Sequence, residues 1–159
     1  LGGFNNAGFL VGAFTNKSIS KLLSLQMEMT YIQKGSNNPK MNENSISDIS
    51  LSYVEIPLLL KYQQSNTIAI EGGIETAFLI SSSDNDIYGK ISATNTREFN
   101  TTDIGVLIGV DYSISPRLIL NSRISNSILP IRAHASGATF QLNKGQYNSV
   151  LSFALHYIL

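Results

Sequence analysis

Nine ionisable residues set the chemistry this sequence could do: the carboxylates Glu28, Glu55, Glu71, Glu75, Asp103 and Asp111, and the cations Lys61, Arg117 and Arg123. Gathered away from water, such a set either passes an ion or proton, or closes on itself in salt bridges and hydrogen bonds that satisfy a polar interior. Ser152 and His156 offer a third chemistry, because a serine activated by a histidine and an acid is a nucleophile for acyl transfer. On a strand, residues four apart are separated by ~13 Å, too far for Ser152 to bond His156 directly, so no catalytic residue is expected. The chain has two histidines, His134 and His156, and no cysteine. Neither a metal site nor thiolate chemistry is therefore expected. Gly72–Gly73 and Gly105 with Gly109 sit inside strand-like segments rather than phosphate loops, and no cofactor is called for.

The elements that must position these residues read with a period of two. Leu23, Leu25, Met27, Met29 and Tyr31 alternate with Ser24, Gln26, Glu28 and Thr30. Ile68, Ile70, Ile74, Phe78 and Ile80 stand against Ala69, Glu71, Gly73, Glu75 and Ala77. Ile104, Val106, Ile108, Val110 and Tyr112 stand against Asp103, Gly105, Gly109 and Asp111. Leu118, Leu120 and Ile124 oppose Asn121, Arg123 and Ser125, and Leu151, Phe153, Leu155, Tyr157 and Leu159 oppose Ser152, Ala154 and His156. Strands are expected at Phe9–Thr15, Lys21–Lys34, Ile49–Tyr62, Thr67–Ile80, Thr102–Ser113, Arg117–Ile128 and Tyr147–Leu159, with "LGGF" as the tail of an eighth. The links alternate between short polar turns ("TNKSIS", "QQSN", "SISP") and long polar stretches. One elaborated end and one plain end is the pattern of an up-and-down transmembrane β-barrel.

The stretch "YVEIPLLLKY", residues 53–62, decides the polarity. It is apolar yet carries Glu55, Pro57 and Lys61. On a barrel wall Val54, Ile56, Leu58, Leu60 and Tyr62 would face lipid, while Glu55 and Lys61 would pair with other charges in a filled lumen. Pro57 removes a ladder donor, so a bulge or broken pairing is expected there. A lipocalin-like soluble barrel would reverse the two faces. Lipid outside is favoured because charged residues make up only 14% of the chain, against about 25% in typical soluble proteins. The polar faces are rich in Gly, Ala and Ser, and aromatics cluster near strand ends, where interfacial girdles belong. The formal net charge is zero, which gives no footprint for nucleic acid.

"YIQKGS" at 31–36, "YVEIPLLLKY" at 53–62, "DIGVLIGVDY" at 103–112, "LNSRISNSILPI" at 120–131 and "NSVLSFALHYIL" at 148–159 occur in that order. Together they resemble the PorT-like outer-membrane β-barrel family of Bacteroidota. The chain departs from the usual pattern at Arg123, which is followed by Ile124 rather than an aromatic. The resemblance runs from Phe9 onward and implies an eight-stranded barrel; with the strand count it gives an all-β, antiparallel up-and-down barrel over residues 1–159 as a single domain, its first strand only partly present. It also implies location in the bacterial outer membrane. One branch of the family is tied to type IX secretion. The reading that follows is a non-catalytic structural or accessory subunit, in contact with outer-membrane lipid and other envelope proteins and with no small-molecule substrate. A narrow ion-conducting pore and a lipid-modifying hydrolase are the alternatives.

Overall fold

A computed structural model describes residues 8–36, 48–86, 89–90, 100–130 and 147–159. The strands are β1 (Leu10–Ser18), β2 (Leu23–Ser36), β3 (Asp48–Gln63), β4 (Ile68–Asp86), β5 (Gly89–Lys90), β6 (Thr102–Ser115), β7 (Leu118–Ser127) and β8 (Ser149–Tyr157). Seven of them pair antiparallel in the order β1-β2-β3-β4-β6-β7-β8, and the two-residue β5 pairs with β4. The sheet curls strongly into a half-barrel. Its two edge strands approach one another across the interior, where the rings of Phe14 (β1) and His156 (β8) lie 5.1 Å apart.

Three short turns are built the same way. Ser20 Oγ accepts from the backbone N–H of Leu22 and Leu23, Ser65 Oγ from Thr67 and Ile68, and Ser115 Oγ from Arg117 and Leu118. A serine that captures the amides two and three residues on replaces the missing strand partner at the bend and fixes where the chain reverses. An apolar residue three positions after each serine then starts or leads into the returning strand.

Alternation puts one set of side chains outside and the other inside. Outside, Ile108, Phe153, Leu155, Met29 and Ile80 are more than half exposed. Inside, Gln26, Glu28, Glu55, Glu71 and Asn121 are almost fully buried. Exposed Tyr62, Tyr112 and Tyr157 mark the short-turn end of the apolar band. At the opposite end the interior is apolar: Ile32, Leu51, Tyr53 and Ala77 pack together with Leu10, Leu79 and Val150.

The expected end of β4 is corrected, and two other expectations are met in part. Pro57 gives the expected broken pairing, without a bulge: the β2–β3 ladder is interrupted between Met27↔Leu58 and Thr30↔Glu55 but resumes in the same register, and Pro57 itself pairs with Glu75 on β4. A missing N–H deletes one rung without displacing the strand. The bulge lies instead between Ser52 and Tyr53. Strand β4 runs on to Asp86, six residues past its expected end, because β3 continues to pair with it as far as Asp48↔Asn85. Backbone pairing there overrides a composition of Ser, Asn and Asp that disfavours strands. Finally, of the expected eight-stranded barrel the described residues form seven long strands in a half-barrel, with β1 and β8 not joined. With seven long antiparallel strands the first and last run parallel to each other, so the antiparallel pattern cannot close between them. The segment Leu1–Phe4, expected to be the tail of an eighth strand, lies outside the described residues, as does His134.

Candidate functional site

The interior of the curled sheet holds the one dense concentration of ionisable side chains among the described residues. Its lower layer, toward the short turns, is organised by Arg123 on β7. The guanidinium reaches across to β2 and grips Glu28 with two parallel bonds, Nη1 to Oε2 and Nη2 to Oε1, each 2.9 Å. Its Nε donates to Glu71 Oε1 on β4 at 2.7 Å. Two carboxylates thus share one planar cation, a geometry that arginine's fixed fork supplies and lysine's does not. Lys61 on β3 completes the layer, paired with Asp111 and, at 3.3 Å, with Glu71.

Amides tie these pairs together. Gln26 Nε2 donates to Glu28 (2.7 Å) and its Oε1 accepts from Lys61 (3.1 Å). Asn121 Nδ2 donates to both Glu71 (2.9 Å) and Asp111 (2.7 Å). The upper layer is centred on Lys34, which pairs with Glu55 at 2.5 Å, lies 3.9 Å from Glu75 and sits over the ring of Tyr53. Asp103 is held by Ser127 Oγ (2.6 Å) and Asn148 Nδ2 (2.9 Å).

Two glycines on β6 make the room. Glu71 pairs directly with Gly109 and Glu75 with Gly105. A Cβ at Gly109 would stand 2.6 Å from Glu71 Oε1, and one at Gly105 would stand 2.9 Å from Glu75 Oε1. Each carboxyl group leans across the neighbouring strand over a position that has no side chain.

Eight of the nine ionisable residues singled out in the sequence are buried inside: Glu28, Glu55, Lys61, Glu71, Glu75, Asp103, Asp111 and Arg123. Arg117 is not among them. It is exposed in the β6–β7 turn directly after Pro116, beyond the start of β7, so sharing the parity of Arg123 does not carry it into the interior. Sequence reasoning misses Lys34. It has the parity of Glu28 on the same strand, which is signal enough, but Ile32 interrupts the polar face between them and hides the continuation.

Ser152 and His156 both face inward but are bonded into no acid–base chain. Ser152 lies opposite Arg123, His156 opposite Ile119, and the His156 ring packs on Phe14. Among the described residues no group of three or more His, Asp or Glu side chains is placed to hold a metal ion.

An apolar exterior, an ion-paired interior and antiparallel strands joined by tight turns at one end define a membrane protein of the β-barrel type. The model of one family, the outer membrane protein beta-barrel domain, matches residues 3–131, and the chain belongs to that family. It is accordingly a protein of the bacterial outer membrane, from a family that is typically non-catalytic. No curated protein and no solved structure matches it.

Proposed function

We propose that the chain forms the wall of a sealed, non-catalytic barrel that serves as a structural or accessory subunit of an envelope complex. The complex would be of the secretion-related kind that the PorT-like resemblance in Bacteroidota implies. One further strand, set between β1 and β8 and antiparallel to both, would complete eight strands. An even number lets the two free edges vanish, as single-chain outer-membrane barrels require.

The observation that carries the non-catalytic, sealed reading is how full the interior is. Two ion-paired layers, with Arg123 and Lys34 at their centres, lie beneath an apolar layer of Ile32, Leu51, Tyr53 and Ala77. An eight-stranded barrel has an interior just wide enough for side chains, and here those side chains are locked to one another. Work in such a protein falls to its outer surfaces, where other envelope proteins would bind.

Planar-bilayer recording of the purified protein tests the seal. No unitary conductance steps are expected; discrete, reproducible openings would replace this reading with the pore. Purification in mild detergent after in-cell crosslinking should retain an envelope protein at fixed stoichiometry, and recovery of the chain by itself would remove the accessory role.

A further inference from the structure

The three short turns share one serine contact, yet the side chains they expose are of two kinds. The β1–β2 turn exposes two cations, Lys17 and Lys21, and two large aliphatics, Ile19 (62% exposed) and Leu22 (50%). The β6–β7 turn exposes Arg117 and, at 54%, Ile114. The β3–β4 turn, residues 63–67, has neither a charge nor a large apolar residue. There Gln63 spends its amide on the backbone oxygens of Ser65 (2.6 Å) and Ile68 (3.4 Å). Cations and exposed aliphatics therefore occur together in two turns and are absent together from the third.

Nothing on the two turns neutralises their cations. Residues 15–23 and 113–118 contain no Asp or Glu. The nearest carboxylates along the strands that lead into them are Glu28 and Asp111, both buried and held by Arg123 and Lys61. Among the described residues, Lys17, Lys21 and Arg117 enter no ion pair. Nor are these side chains needed to close the turns. The Ile19 and Ser20 amides both donate to Leu23 O, at 2.8 and 3.0 Å, and Arg117 meets Ser115 and Ile158 through its backbone.

Their placement matches a membrane boundary. Lys17 stands opposite Leu25, on the outward apolar face of the β1–β2 pair. The exposed side chains of Tyr62, Tyr112 and Tyr157 lie at the same end of the sheet. A long cation rooted on an apolar wall lays its methylenes along the wall and lifts its charge to the polar boundary. A turn standing in water gains nothing by exposing Ile19 and Leu22. A turn sunk between headgroups and acyl chains buries them while its lysines meet phosphates.

We propose that the β1–β2 and β6–β7 turns form a binding surface for anionic glycerophospholipid headgroups in the leaflet that the short turns face. Lys17, Lys21 and Arg117 take the phosphates, and Ile19, Leu22 and Ile114 anchor at the acyl boundary. A soluble anion would use the cations and leave the aliphatics in water, so the pairing of the two selects a lipid. The proposal rests on the lipid-embedded wall and adds to it the headgroup and the turns that hold it.

Electron spin resonance of the purified protein in phosphatidylcholine liposomes tests it, with trace spin-labelled phosphatidylglycerol or phosphatidylcholine as the probe. The boundary-lipid signal should favour phosphatidylglycerol by about threefold or more. In the combined Lys17→Gln, Lys21→Gln and Arg117→Gln variant the preference should fall to about 1.5-fold or less, with the phosphatidylcholine signal unchanged. Arg117→Lys alone should keep the preference. Ile19→Ser with Leu22→Ser retains every charge and should still weaken it. Equal boundary occupancy by the two probes, or a preference untouched in the triple variant, would overturn the headgroup assignment and leave the lipid-embedded wall standing. A boundary signal missing with both probes would overturn the wall itself. A preference abolished by excess glycerol phosphate, or one left whole by the double serine variant, would give the turns to a soluble anion instead.

Discussion

Arg123 is the residue on which most of the interior depends. It bonds two carboxylates on two other strands, and those carboxylates are in turn held by Gln26, Asn121 and Lys61. Breaking a buried pair by removing one partner costs far more than the pair's net worth, because the survivor stays buried and uncompensated. Arg123→Ala should therefore lose about 3–5 kcal/mol of unfolding free energy in urea titrations from detergent. Replacing all three charges at once, as Arg123→Met with Glu28→Met and Glu71→Leu, should recover most of that loss, since well-packed apolar groups replace ion pairs at little cost. A triple variant no more stable than the single one would show that the charges contribute more than mutual satisfaction. Ser152→Ala should leave lipid acyl composition and stability unchanged, because Ser152 is joined to no base; altered acyl chains in a strain carrying it would reopen the hydrolase reading.

At the scale of strands, the β4–β6 pair shows why the glycines on β6 stand where they do. Gly105 and Gly109 oppose Glu75 and Glu71 rung for rung, so two carboxyl groups occupy the space of two absent side chains. Gly109→Val should cost about 1–3 kcal/mol by overpacking and push Glu71 off Arg123. Gly72→Ala is the control: a Cβ there meets only Leu107 O at 3.8 Å, and the change should stay within about 0.5 kcal/mol. Equal effects at both positions would mean that glycine matters for strand flexibility and not for room. The same pair shows what the sequence made legible. Strict alternation located every long strand and placed Glu71, Glu75, Asp103 and Asp111 inside, because a period of two leaves a side chain only two choices of face. It did not reveal which carboxylate meets which cation, since those contacts run across the lumen between β2, β4 and β7. Nor did it locate the end of β4, where pairing with β3 outruns propensity, or show that Arg117 stops at the rim. The serine turns were legible as polar breaks, but their shared mechanism needed the positions of the hydroxyls.

For the molecule as a whole, everything turns on a wall that is oily outside and ionic within, the reverse of a soluble barrel. The length of the strands fits a membrane: β1, β7 and β8 have 9, 10 and 9 residues, close to the ~9–11 that cross a bilayer at a barrel's tilt. The tyrosines at the short-turn end mark one interface. The surplus length of β3 and β4, with 16 and 19 residues, then extends past the opposite interface as a paired two-strand ribbon. This geometry makes the cost of an outward charge depend on depth. Ile108, 67% exposed at the middle of β6, should lie near the bilayer centre, and Ile108→Lys should cost about 2–4 kcal/mol in liposomes. Ile114, on the same outward face but past Tyr112, should tolerate lysine at about 0–1 kcal/mol. A soluble barrel with its exterior in water would accept both substitutions, and one packed against a protein partner along its whole wall would reject both. Only a lipid-embedded wall separates them by depth, so measuring the two variants side by side in liposomes distinguishes the three arrangements whatever the partner's identity.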